Sequence, residues 1–267
     1  MISKIKKLLQ ENDSNKPPIF IGGEGRSGTT LMRAMLNNHP NIFSGPETHF
    51  FIDEDFINYR EKLIEKYAYR IREYNKDAVI EVNEMYRGMI NNYFSKYMSK
   101  NNKKRWAEKT PYNIKHIDFL LEVFEGNIKF IHMIRDGRDV AASLLTMPWG
   151  PPTIEGAAES WNSIIENSRK HLGKKYFIEV KYEDLINNEV KVLKRVCKFL
   201  KEDYDDRMLD YYKDNDLGGS KESSYKQIKQ PLYKNSIGRW QKDLTESQID
   251  IFMNIARESM RSLKYIK

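Results

Sequence analysis

Gly23 and Gly28 have four residues between them and are followed by Thr29 and Thr30. That spacing lets successive backbone N–H groups converge on phosphate oxygens at the start of a helix. The chemistry on offer is anion binding. Arg26 places one cation inside the loop, while Thr29 occupies the position where a nucleoside-triphosphate loop carries the lysine that bridges the outer phosphates. Such a loop suits one phosphate held by amides and hydroxyls, with one cation nearby. By its spacing alone it reads equally well as a tight turn with no ligand.

The elements around the loop favour a ligand. Ile19-Phe20-Ile21 is a short apolar run that predicts a buried strand feeding straight into the glycines, and Leu31, Met35 and Leu36 follow at helical spacing until Pro40. A second apolar run, residues 129–134, leads into Arg135-Asp136-Gly137-Arg138-Asp139 and a helix through Ala141, Leu144 and Leu145. A third, residues 176–180, leads into Tyr182 and a helix with Val192, Val196 and Phe199 on one face. Repeated strand-then-helix order predicts an α/β fold with a central parallel sheet flanked by helices, and open sheets of this kind bind ligands at the carboxyl ends of their strands. Two long polar-aromatic stretches, residues 50–74 and 79–99, predict a helical cap insertion over 50–100, and a last helix is expected over 246–263. Phe51, Phe56, Tyr59, Tyr86, Tyr93 and Phe94 in the cap fit either an apolar acceptor wall or a core. Residues 218–224 read as a loop.

With 267 residues, no linker rich in Gly, Pro or Ser and no internal repeat, a single domain over 1–267 is expected, with 1–17 forming an N-terminal helix and linker. The 40% hydrophobic and 31% charged composition excludes a disordered or membrane-embedded chain. A net charge of +7 calls for an anionic partner, and a small polyanion explains it without a nucleic-acid stripe, because the basic runs are short and interspersed among 38 acidic residues. The single cysteine, Cys197, sits in an apolar-periodic stretch and reads as a buried helix position. Residues 1–12 have neither a long apolar run nor a small-residue cleavage site, so no signal or membrane anchor and a cytoplasmic location are expected. No cysteine, histidine or acidic spacing fits zinc or calcium, and no metal is expected.

Residues 20–36, Phe-Ile-Gly-Gly-Glu-Gly-Arg-Ser-Gly-Thr-Thr-Leu-Met-Arg-Ala-Met-Leu, resemble the donor-binding segment of sulfotransferases that use 3′-phosphoadenosine 5′-phosphosulfate (PAPS). The similarity is to the protein-tyrosine sulfotransferase branch and its bacterial relatives. Residues 134–143, Ile-Arg-Asp-Gly-Arg-Asp-Val-Ala-Ala-Ser, resemble the 3′-phosphate segment of the same family, and the resemblance runs on through Tyr182-Glu183-Asp184-Leu185 to Gly238-Arg239-Trp240.

The resemblance implies a P-loop-NTPase-like sulfotransferase fold and transfer of a sulfuryl group from PAPS to an acceptor hydroxyl on a peptide tyrosine, glycan, lipid or small molecule, leaving 3′,5′-adenosine bisphosphate. It implies that Arg26, Ser27, Gly28, Thr29, Thr30 and Leu31 hold the donor's 5′ end, that Arg135 and Ser143 bind its 3′-phosphate, and that Tyr182 contacts the adenine. Ser236 and Arg239 resemble the late loop that closes over the donor. Arg26 and Lys109, the latter in Trp106-Ala107-Glu108-Lys109-Thr110-Pro111, would neutralise the leaving phosphate. Glu47, in Ser44-Gly45-Pro46-Glu47-Thr48-His49, matches the family's general base, although Pro46 and His49 stand where tyrosylprotein sulfotransferases have glutamate and arginine.

Each residue also has a plainer reading: Glu47 as a first-turn carboxylate, Lys109 as a surface charge, Arg135 as a salt-bridge partner of Asp136 or Asp139, with Arg138 and Asp139 structural. His49 is the alternative base. Two other functions stay open from the residues: a P-loop kinase or NTPase with a degenerate loop, and a catalytically silent nucleotide-binding module.

Overall fold

The computed structural model describes residues 16–72, 77–213, 227–232 and 235–267. The expected helix of residues 1–12 and the loop at 218–224 lie outside them. Five parallel strands, β1 (Ile19–Gly22), β2 (Ile42–Phe43), β3 (Arg105–Lys109), β4 (Lys129–Ile134) and β5 (Phe177–Lys181), form one sheet in the order β2-β3-β1-β4-β5. From β1 the chain goes to the edge strand β2, returns to β3 beside β1, and then crosses to β4 and β5 on the other side, so the connections change side at β1. A crevice opens at such a point beyond the carboxyl ends of the strands, and that is where β1 delivers the glycine loop.

The helices, in chain order, are α1 (Thr29–Asn38), α2 (Glu54–Arg72), α3 (Ala78–Lys100), α4 (Ile117–Val123), α5 (Gly137–Leu144), α6 (Ile154–Ser168), α7 (Tyr182–Asn187), α8 (Glu189–Leu200), α9 (Trp240–Asp243) and α10 (Glu246–Ser262). The central strand β1 is apolar and buried throughout because both sheet faces are covered. Alternate residues of β1 go to opposite layers: Ile19 and Ile21 pack with α1 and α8, and Phe20 packs with α3 and α4. Cys197 is buried on α8.

The stretch over 50–100 forms the paired helices α2 and α3. Helix α2 starts later than the periodicity suggests, because Asp53 accepts a hydrogen bond from the Phe56 backbone N–H at 2.8 Å and so ends the preceding turn. Val82, Tyr86, Ile90, Phe94 and Met98 line the buried face of α3, and Phe94 stacks on Trp106 of β3 with centroids 4.3 Å apart. Phe51, Tyr86 and Phe94 are therefore core, and Tyr59 is exposed. Strand β2 escapes a reading of periodicity because two residues carry no period.

The opposite end of the sheet is fastened by charge. Arg105 at the start of β3 donates to the Leu200 carbonyl at 2.7 Å and to Glu202 at 3.2 Å, and Glu202 also accepts from Lys16 at 3.0 Å and Asn41 at 3.2 Å. Burial pushes the Glu202 carboxyl upward, but the hydrogen bonds and charges of Lys16, Asn41 and Arg105 outweigh it and hold it below the usual range. A depressed folded value contributes stability above the unfolded pKa, and that contribution disappears as pH falls through the folded one. Glu202→Gln should cost roughly 3 kcal/mol at neutral pH by leaving the Arg105 charge unbalanced. Urea melts across the acid range should show a shallower loss of stability below about pH 4 in the variant than in the wild type.

Candidate functional site

The loop between β1 and α1 is shaped by contacts that require glycine. Gly23 has φ 150°, and a Cβ there would lie 2.3 Å from the Met133 carbonyl oxygen of β4. Gly28, at φ 92°, caps α1, and its Cβ would lie 2.5 Å from the ring of Tyr182. Gly28→Ala is expected to cost about 1–3 kcal/mol from backbone strain and displacement of Tyr182. Tenfold or greater loss of nucleotide affinity should accompany it, read by thermal shift and calorimetry.

Within the loop, the Gly23 N–H donates to the Pro111 carbonyl at 2.9 Å and the Ser27 N–H to the Glu24 carbonyl at 3.1 Å. Arg26 adopts φ 70° and donates from Nε to Ser143 Oγ at 3.0 Å. The loop is thereby tied to α5. Arg135 donates to the Arg26 carbonyl at 3.0 Å and to the Ser236 carbonyl, and its guanidinium lies 4.8 Å from the Tyr182 ring centroid. The Tyr182 hydroxyl shares a 2.7 Å hydrogen bond with Ser236 Oγ.

One cavity is lined by Arg26, Gly28, Thr29, Thr30 and Leu31 from the loop and α1, and by Arg135, Ser143, Tyr182, Ser236 and Arg239 from the other segments singled out in the sequence. Ser27 is buried beside them. Ile186, Tyr211, Ile228 and Leu232 complete the wall. They are apolar residues in no motif, and nothing in the sequence marks them.

The cavity fits an anion on two counts. Thr29, Thr30 and Leu31 of the first turn of α1 line it, and a helix N-terminus favours negative charge. Ser27 Oγ and Arg135 Nε are buried without a hydrogen-bond partner among the described residues.

At the β3 side Lys109, with no exposed side-chain surface, donates from Nζ to Thr30 Oγ1 at 3.2 Å and to Glu47 Oε1. The reading of Lys109 as a surface charge is excluded by its burial. His49 Nε2 lies 3.2 Å from Glu47 Oε2, so Glu47 is gripped from both sides. Glu47 lies before α2 rather than in its first turn. The Arg135–Asp139 ion pair exists at 3.6 Å, alongside the other contacts of Arg135.

Three supporting residues lie inside the quoted segments, which give them no binding or catalytic role. Buried Glu108 accepts from the Thr48 N–H and hydroxyl, both at 3.1 Å, and from Thr110 Oγ1 at 2.7 Å, which fixes the strap carrying Glu47 to the end of β3. Arg33 of α1 donates to the Gly45 carbonyl at 2.8 Å and supports the same strap from below. Asp139, read from the sequence as structural, is fully buried and accepts from the Gly238 N–H at 2.8 Å and the Trp240 N–H at 3.0 Å, anchoring the late loop over the cavity. Among the described residues no group of three or more His, Cys, Asp or Glu could hold a metal ion, and no helix is long and apolar enough to cross a membrane.

This chain is similar to known proteins. Protein-tyrosine sulfotransferase A of Caenorhabditis elegans is 29% identical over 93% of this chain and 67% of its own length. The Drosophila melanogaster protein-tyrosine sulfotransferase is 30% identical over 84% of this chain, which spans 47% of that relative. An uncharacterized Aquifex aeolicus protein is 24% identical over 97% of this chain and 35% of its own length.

Two solved structures have the same fold. The sulfotransferase domain of the Synechococcus PCC 7002 olefin synthase superposes with TM-score 0.61 at 22% identity, covering 92% of this chain and 97% of that one. A mouse sulfotransferase complexed with PAP does so with TM-score 0.58 at 17% identity, covering 97% and 93%. Residues 17–206, which carry the sheet, the glycine loop and the Arg135–Ser143 segment, match the model of the sulfotransferase family, and the chain belongs to that family.

Proposed function

We propose that this protein transfers a sulfuryl group from PAPS to an acceptor hydroxyl. The observation that carries this reading is the position of Lys109: the cation missing from the glycine loop arrives from the end of β3 and meets Thr30 at the N-terminus of α1. A triphosphate loop carries its own lysine, whereas this site brings its second cation together with a carboxylate, Glu47. The kinase or NTPase alternative has no comparable support.

When bound, the donor supplies the sulfuryl group, which passes to the acceptor oxygen as its bond to the phosphate oxygen breaks. Arg26, Ser27, Gly28, Thr29, Thr30 and Leu31 hold the 5′ end, Arg135 and Ser143 the 3′-phosphate and Tyr182 the adenine, with Ser236 and Arg239 closing the cavity. Arg26 and Lys109 offset the charge left on the phosphate, a role that needs fixed cations more than covalent chemistry. Glu47 takes the acceptor proton.

A peptide tyrosine is the first acceptor to test, because the curated relatives are named for it. A cytoplasmic location belongs to the same proposal and is tested by fractionation. Calorimetric titration with 3′,5′-adenosine bisphosphate should show saturable binding, and incubation with labelled PAPS and a panel of hydroxyl acceptors should label one of them. Absence of nucleotide binding by folded protein rejects the reading. Binding without transfer to any acceptor leaves the silent module in its place.

A further inference from the structure

Glu24 lies between Gly23 and Gly25 in the donor loop, and its side chain is buried where three elements meet. Its carboxylate accepts the Gly25 N–H at 3.0 Å, the Ser160 hydroxyl of α6 at 2.8 Å and the Tyr112 hydroxyl, from the turn after β3, at 3.5 Å. One amide of an anion-binding loop is thus already occupied by an anion belonging to the loop. Resting on the reading of this site as a nucleotide site, we propose that Glu24 is a positioning residue that fixes the donor loop, and that binding of the polyanionic donor is coupled to protonation of its carboxylate.

The network can serve both charge states. Ionised, Glu24 accepts from all three donors. Protonated, it donates to Ser160 Oγ, whose hydroxyl turns to Tyr112, whose hydroxyl in turn donates to the remaining Glu24 oxygen, while the Gly25 N–H keeps its acceptor. No buried polar group is orphaned by the change, so the switch carries little structural cost.

Burial pushes the Glu24 carboxyl above the usual range, against the hydrogen bonds from Ser160, Gly25 and Tyr112 and the attraction of Lys115. The charged or titratable groups facing it are Tyr112 and Lys115. Arg26 follows two positions later in the loop and is turned to Ser143. A second anion held by the same loop disfavours the ionised form further. The sign follows: below the free carboxyl's pKa the proton is already present and affinity is flat, between that pKa and the higher one of the donor-bound state binding captures a proton and affinity falls as pH rises, and above both it is flat again.

The test is calorimetric titration of 3′,5′-adenosine bisphosphate into wild type and Glu24→Gln from about pH 6 to about pH 8.5, in two buffers of different ionisation enthalpy. Glutamine keeps the size of the side chain and, with Nε2 donating to Ser160 Oγ, the hydrogen-bonding pattern of the protonated form, and it removes the proton equilibrium. Where the free and donor-bound carboxyls differ in protonation, wild type should take up more proton on binding than Glu24→Gln, and its affinity should fall there by up to about tenfold per pH unit. Glu24→Gln should lack that extra uptake and bind several-fold more tightly than wild type at the highest pH. Equal proton uptake and equal pH slopes in the two proteins would overturn the proposal. So would a folded Glu24→Gln that binds weakly at every pH, since the carboxylate would then be needed in its charged form. Failure of wild type to bind the nucleotide at any pH rejects the nucleotide site itself and this inference with it, and is told apart from the other outcomes by the wild-type titration alone.

Discussion

Glu47→Gln is expected to lower turnover by about 10²–10⁴-fold while affinity for 3′,5′-adenosine bisphosphate stays within about twofold. The carboxylate is held rather than free: Lys109 grips one oxygen and His49 approaches the other at 3.2 Å. Glutamine can occupy the same space, keep a contact to Lys109 and leave the strap in place, because the strap is fastened through Thr48 to Glu108 and through Gly45 to Arg33. What it loses is the capacity to accept a proton from the acceptor. Single-turnover rates with preloaded donor separate that loss from donor binding. Normal turnover in Glu47→Gln would transfer the role to His49, which His49→Gln then tests on the same assay.

Lys109→Met should cost about 10²–10³-fold in turnover, with a smaller loss of donor affinity. Lys109 has no exposed side-chain surface, and its ammonium meets both Thr30 Oγ1 and the Glu47 carboxylate. A cation fixed in a buried position costs no reorganisation when charge develops on the leaving phosphate, which makes it worth more than the same charge in water. Stability should move little or rise. Methionine fills the stem, and the partner left behind, Glu47, has 19% of its side chain exposed and can be hydrated. Reduced turnover with an unchanged or higher melting temperature supports a role in the reaction, whereas parallel loss of both assigns Lys109 to the fold.

The two variants also distinguish the parts of the site. Glu47→Gln acts on the acceptor proton and should be insensitive to which nucleotide is bound. Lys109→Met acts at the donor end of the same pair, so its defect should appear whatever acceptor is used. A double variant should fall short of the product of the two defects, since the residues form one contact and act as a unit.

Local chain geometry made the loop legible. Apolar strand, glycines, threonines and helix are consecutive, and positive φ at Gly28 together with close approach of Gly23 to β4 can be met by no other residue type. The replacement of lysine by Thr29 was equally plain, and it pointed to one phosphate rather than three. The parallel sheet followed from the repeated order of strand and helix, whereas the two-residue β2 carried no pattern.

Tertiary structure decided everything that joins distant segments. Arg26 and Ser143 are 117 residues apart, Lys109 and Thr30 are 79 apart, and Glu47 reaches Lys109 across 62. Which strand ends become neighbours depends on the order β2-β3-β1-β4-β5, a property of packing both faces of the sheet that no short window of sequence contains. Glu24, Glu108 and Asp139 show the same division in single residues. Nothing in the local sequence marks their carboxylates for burial, and each is buried because donors from other elements converge on it. The sequence by itself determined that a glycine loop suited to an anion joins an apolar strand to a helix; only the fold decided that a buried lysine and a held carboxylate meet at that loop, because charges cluster against their mutual cost only where the surrounding packing fixes them.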